Sequence, residues 1–184
     1  MPGPPSCPAE VSVARRRAAN LLNGSTVAGL WLARRAGVAV RPGPHGLWLA
    51  PGYPHRFPAP RSGAVCVGDV VLLRVGRSVE RGADVMDAQP RLLDHEARHA
   101  AQWARWGGLL GFLPAYGLAS LWSVLRTGDP HSANRFEVRA GLRDGGYRQA
   151  PPRGVPSGTG ALVRSLVAAG PGAVRGRSRR RGRP

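Results

Sequence analysis

The 184-residue sequence contains no lysine and no isoleucine; its 27 basic residues are all arginine, set against ten acidic ones. Alanine, glycine, proline and arginine are in excess, as in translation from a GC-rich genome. Part of the formal net charge of +17 is therefore codon bias, and it is weaker evidence for a nucleic-acid partner than the pI near 11.8 implies. Only Cys7 and Cys66 are present and no CxxC occurs, which excludes a thiolate zinc knuckle and a disulfide scaffold and fits a reducing cytoplasm. The first residues hold their arginines too far in and lack a small-residue cleavage site after a clean apolar core, so no signal peptide is read. Residues 170–184 carry six arginines and no aromatic side chain. Such a tail can meet nucleic acid or anionic lipid by counterion release, but it offers bases no stacking platform, and its simpler reading is a solvated tail.

The length suits one domain with a substantial core plus tails. Residues 1–13, rich in proline, are expected to be disordered, 14–148 to form the domain, and 149–184 to be a Pro/Gly/Arg-rich linker and disordered basic tail. Residues 14–36 are basic at both ends, with Leu21, Leu22, Val27, Leu30, Trp31 and Leu32 between. Ser25 or Thr26 can cap a short helix running to Arg35, ended by Gly37. Packing on the core is its expected fate, and a basic amphipathic helix can also rest on a membrane surface.

Between residues 38 and 74 the period changes. Runs at 38–40, 46–50, 64–67 and 70–74 are short and apolar or β-branched, and Pro42-Gly43-Pro44, Pro51-Gly52 and Gly68-Asp69 supply turns. The pattern predicts a small, mostly antiparallel sheet. His55 sits in a proline-stiffened loop and is read as solvent-facing, although it could approach a metal.

The chemistry lies in residues 92–106, LLDHEARHAAQWARW, which hold the HExxH pattern in His95, Glu96 and His99. On a helix the two histidines lie about 400° apart, on nearly one face a turn apart, and can close on one Zn²⁺. Glu96 falls beside the metal, where a general base is needed. Asp87 or Gln89 can begin this helix with Pro90 in its first turn, and Gly107-Gly108 ends it. Asp94 can pair with Arg98 or support a ligand histidine. The apolar positions leave little for solvent, so the helix is expected to be largely buried.

Residues 107–125 are uncharged. Their glycines and Pro114 favour a buried or membrane-apposed loop and helix, the helix over 114–125, rather than a span. A further helix is predicted over 133–142, capped by Ser132 or Asn134, with Glu137 in its body. A catalytic zinc normally has three protein ligands, and after His99 the Asp, Glu and His candidates are Asp129, His131, Glu137 and Asp144. Glu137 is the expected ligand because a helix body places it rigidly between apolar Phe136 and Val138; His131 is the alternative, and a Glu137 paired at the surface with Arg135 or Arg139 is the bland one.

The chain resembles HExxH zinc metallopeptidases (zincins), particularly the branch whose third ligand is a glutamate on a later helix. It is closer still to short bacterial proteins of the actinobacterial kind, in residues 20–32, 65–73, 95–102 and 134–140. The resemblance implies an α+β domain, a small sheet followed by a helical metallopeptidase core. It also implies peptide or amide hydrolysis by a zinc-activated water, with His95, His99 and Glu137 as ligands and Glu96 as base. A sheet edge commonly precedes the motif helix in such folds and can pair with an extended substrate. The chain departs from the pattern in having Gln102 in place of an HExxHxxGxxH continuation and Gly141 in place of an acidic residue four after Glu137. The oxyanion donor is sought among His131, Tyr147 and Tyr116, with the first two preferred. The expected partner is a peptide or protein substrate, with peripheral membrane contact secondary and nucleic acid only through the tail. A catalytically silent zinc-binding scaffold and an arginine-driven binding protein are the rival functions.

Overall fold

The computed structural model describes residues 13–54, 63–74 and 90–153. His55, the expected start of the motif helix at Asp87 or Gln89, residues 1–12 and the Arg-rich tail lie outside the described residues.

Two helices open the domain, α1 (Val13–Leu22) and α2 (Ser25–Arg35). The break between them is made by Asn23, whose Oδ1 accepts from the Ser25 backbone N–H at 3.0 Å and from its hydroxyl at 2.6 Å. Gly24 is the N-cap of α2, at φ +77° and with no side chain to cap with, and Ser25 and Thr26 are buried in the first turn instead of capping. The exit from α2 explains a misplaced first strand. Gly37 N donates to Arg34 O and Val38 N to Ala33 O, both at 3.0 Å, closing the helix with a Schellman-type turn. That bond takes the N–H of Val38, and strand pairing starts later, at β1 (Arg41–Pro42).

A four-stranded sheet follows in the order β1-β2-β4-β3, with β2 Trp48–Tyr53, β3 Ala64–Val67 and β4 Val70–Arg74. Two of its pairs are antiparallel and β2–β4 is parallel. The β3–β4 hairpin lies where the pattern placed it, around Gly68-Asp69. Pro51-Gly52, by contrast, is no turn: the strand runs through it to Tyr53 with a register shift against β4. Gly68 has φ +63°, and a Cβ there would lie 2.4 Å from Thr26 N, so the turn packs directly against the start of α2. Asp69 completes the junction. Its buried carboxylate takes Arg16 Nε of α1 at 2.7 Å and the Thr26 hydroxyl of α2 at 3.0 Å.

Over this sheet lies the motif helix α3 (Pro90–Arg105), followed by α4 (Gly108–Thr127) and α5 (Arg135–Ala140). Asn20 Nδ2 of α1 donates to Ala100 O of α3 at 3.0 Å, fixing the two helices. Leu47, Leu49, Val70, Val71, Leu93 and Phe136 are the largest apolar side chains fully enclosed between the layers. The loop expected before residue 114 is helical: α4 is continuous from Gly108 with Pro114 inside, forgoing one backbone bond. Phe112, Ala119 and Trp122 anchor its inner face on both sides of the proline, and this packing outweighs the break. Helix α5 is shorter than 133–142. Of the two proposed caps it is Asn134 that serves, its Oδ1 accepting from Phe136 N at 2.9 Å. The result is a small α+β architecture in which sheet and helices bring α3 and α5 together.

Candidate metal centre

His95, Glu96 and His99 are all buried on the inner face of α3, and Glu137 of α5 is 2% exposed. The surface pairing of Glu137 with Arg135 or Arg139 is thereby excluded. Glu137 Oε2 lies 3.3 Å from His95 Nε2 and 3.5 Å from His99 Nε2, and the two Nε2 atoms are 3.0 Å apart. Donor atoms about 2.0–2.2 Å from a tetrahedral ion lie about 3.3 Å from one another. The triangle matches that spacing.

The hydrogen bonds on the far side of each ring decide what the facing nitrogens carry. His95 Nδ1 meets two backbone carbonyls, Ala140 O at 3.1 Å and Gly141 O at 3.0 Å. Carbonyls only accept, so Nδ1 carries the proton and Nε2 presents a lone pair. For His99 the chain has one more link. Gln102 Nε2 donates to Phe136 O at 3.0 Å, which fixes the amide and turns Oε1 to His99 Nδ1 at 2.8 Å. His99 Nδ1 is then the donor and its Nε2 is also bare. Glu137 Oε2 is buried and accepts no hydrogen bond. Three electron-rich atoms so enclosed repel each other unless a cation or a proton lies between them. His95, His99 and Glu137 form a buried triad suited to holding a metal ion of the HExxH type.

The electrostatics point the same way. Burial alone would raise the pKa of Glu137, but the polar contacts of His131, His95 and His99 outweigh it and hold the carboxyl well below the usual range. Burial pulls His99 down, while Glu137 and Glu96 push it further up, so the ring lies above its ordinary value. Glu96 is raised, chiefly by burial, against the opposing pull of His99 and His95. One of its oxygens, Oε2, is buried without a hydrogen bond, and the carboxylate is met by the backbone N–H of Cys66. The Cys66 thiol is pushed up by burial and by Glu96 and Asp69, which leaves it an unreactive neighbour.

Tyr116 donates a short hydrogen bond to Glu137 Oε1 and so orients the triad carboxylate, which removes it from the oxyanion donors. His131 Nδ1 is 3.8 Å from the same oxygen and makes no hydrogen bond, so His131 is near Glu137 but outside the triad. Its ring stacks on Tyr147, centroids 4.2 Å apart, and Tyr147 lines the cavity above the triad. Asp94 has neither expected role: it meets His45 Nε2 at 2.9 Å. Arg98 instead reaches Asp144 at 2.9 Å and Ala140 O at 2.7 Å, holding the end of α5 whose carbonyls orient His95. Gly145 lies so close to His95 that a Cβ would sit 2.7 Å from the ring atoms. Sequence reasoning missed Arg98, Gln102 and Gly145 as supports. For Gln102 a signal existed, since position i+3 from His99 shares its helix face.

A cavity of about 390 Å³ opens beside the triad, walled mainly by apolar side chains of α2, β3, α3 and α4. Strand β3 is the sheet edge beside it, but Cys66 O already accepts from Trp103 Nε1 at 3.0 Å. With its N–H on Glu96, that residue has both backbone groups engaged, which leaves no free edge for a substrate strand at Cys66. No family model, curated protein or solved structure matches the chain. The triad is therefore what ties this domain to the HExxH type, and no match supports the expected actinobacterial lineage.

Proposed function

We propose that the chain is a zinc-dependent hydrolase of peptide or amide bonds, with His95, His99 and Glu137 as the protein ligands and Glu96 as the general base. The observation that carries this reading is the convergence of three bare donor atoms, each oriented from behind, next to a second buried carboxylate on the same cavity. Zinc with three protein ligands keeps a position open and supplies Lewis-acid activation of water and carbonyl. The remaining work falls to side chains. Burial makes Glu96 a stronger proton acceptor than an exposed glutamate. With the Cys66 N–H steadying the carboxylate, Oε2 is left to take a proton from water and return it to the leaving amine. Tyr147 on the cavity wall is the donor for a developing oxyanion, and His131, stacked behind it, is its positioning group. The apolar lining suits a peptide carrying a large apolar side chain, and the site of action is the cytoplasm or a membrane face turned to it.

The test compares zinc-loaded wild type with Glu96→Gln on a quenched-fluorescence peptide library rich in apolar residues. The variant should keep its zinc and lose turnover by about 10²–10⁴-fold. Equal turnover in both would remove Glu96 as base. Zinc binding with no turnover in the wild type would leave a silent metal-binding scaffold.

A further inference from the structure

Helix α4 turns an unusual face outward. Its exposed large side chains are Leu110, Leu113, Leu118, Leu121, Val124 and Leu125, and the other exposed positions are Pro114 and Gly117. They recur at helical spacing along one stripe of about 22 Å, with no polar side chain in it. Leu110 is 93% exposed. Helix α2 repeats the pattern in short: Val27, Leu30 and Trp31 are exposed on one face, which ends in exposed Arg34 and Arg35. The cavity lies between the two, with Ala28 and Leu32 from α2 and Leu109 and Phe112 from α4 in its wall. Leu113 belongs to both stripe and wall, so the cavity lining is continuous with the outer face. An apolar stripe of this length in water is unfavourable and marks a docking surface.

Charge selects the occupant. Helices α1, α2 and α4 contain no aspartate or glutamate; Arg16 is buried on Asp69, and their other charged residues are Arg15, Arg17, Arg34, Arg35 and Arg126. Arg105 is exposed beside the start of α4. An apolar face with tryptophan on it and cations around it complements an anionic lipid surface, where apolar side chains enter the acyl boundary and arginines meet headgroups. Helix α4 is long and apolar enough to cross a bilayer. Its inner side, however, is bound to polar structure along its length: Tyr116 to Glu137, Ser120 to Asn134, and Ser123 to Asp129 O. A span would carry those groups into hydrocarbon.

We infer that the outer faces of α2 and α4 form a docking surface for an anionic bilayer, on which the helices lie in the plane of the membrane. The surface stands on exposure and charge and does not depend on hydrolysis. The full-length chain is sedimented with vesicles of phosphatidylcholine alone or mixed with phosphatidylglycerol, beside Trp31→Ser, the pair Leu110→Asn with Leu121→Asn, and Arg34→Gln with Arg35→Gln. Wild type should bind the anionic vesicles at least about tenfold more tightly than neutral ones and be released by alkaline carbonate. Each variant should lose binding several-fold while keeping its metal content and helical circular dichroism. Equal binding to both vesicles, or none, overturns the proposal. So does resistance to carbonate, which means a span, and so does a dimer in ultracentrifugation that the leucine substitutions dissociate, which means the face belongs to a second copy.

Discussion

His99 Nδ1 lies 2.8 Å from Gln102 Oε1, and the other end of the same amide is held by the Phe136 carbonyl at 3.0 Å. One side chain thus sets the tautomer of a triad histidine on α3 from a backbone group on α5, one residue before Glu137. Replacing it with Gln102→Leu should weaken zinc affinity by about 10–100-fold, the usual effect of losing such a support. Chelator competition reads this, and an unchanged affinity would remove Gln102 from the site.

Gly145 makes a separate forecast. A methyl group there meets the His95 ring at 2.7 Å, and backbone and imidazole cannot both keep their places. Gly145→Ala should lower zinc affinity while the thermal midpoint of the metal-free protein moves little. A loss of midpoint with intact affinity would show that the loop yields and the ring does not.

The Arg16–Asp69 pair ties α1 to the hairpin turn with both side chains buried. Removing one partner leaves a buried charge, so Arg16→Met should destabilise the domain by about 3–5 kcal/mol, read from the denaturant midpoint. The double change Arg16→Met with Asp69→Leu should recover part of that loss, and no recovery would mean that the Thr26–Asp69 bond is the larger contribution.

How much of this was legible in sequence follows the range of the interactions. The β3–β4 hairpin could be read because its signals are local: β-branched runs around Gly68-Asp69. The triad could be read because His95 and His99 share a helix face and Glu137 stands in a second helix. The parallel β2–β4 pairing could not, since it joins residues with no local mark of their partnership. The continuity of α4 through Pro114 was hidden because buried Phe112, Ala119 and Trp122 decide it through tertiary contact. The acceptors for His95 are main-chain carbonyls of residues 140 and 141, which no residue type announces. Asp94 and Arg98, four apart, looked like a helix pair, yet each finds a partner on another segment.

Asp129 supplies the pH dependence outside the triad. Burial, the largest single influence, would raise its pKa, but the Ser132 hydroxyl and the N–H groups of Ser132 and His131 together outweigh it and hold it below the ordinary value. A carboxylate lowered on folding stabilises above its unfolded pKa of about 3.9, and the contribution fades as pH falls through the lower folded value. Asp129→Asn should therefore be less stable than wild type at neutral pH, with the difference shrinking below about pH 4. Thermal melts across pH 3–7 (about the range in which a carboxylate titrates) check this, and a constant gap would mean that the bonds, not the charge, matter.

The central claim is that His95, His99 and Glu137 hold a metal ion, and elemental analysis of the purified full-length chain tests it most directly. Wild type should carry close to one zinc per chain, and Glu137→Ala and His99→Ala should lose most of it while keeping wild-type circular dichroism. His131→Ala should keep it. A wild-type protein free of metal after purification without chelator and after reconstitution with zinc, or a Glu137→Ala variant that binds as tightly as wild type, would contradict the account.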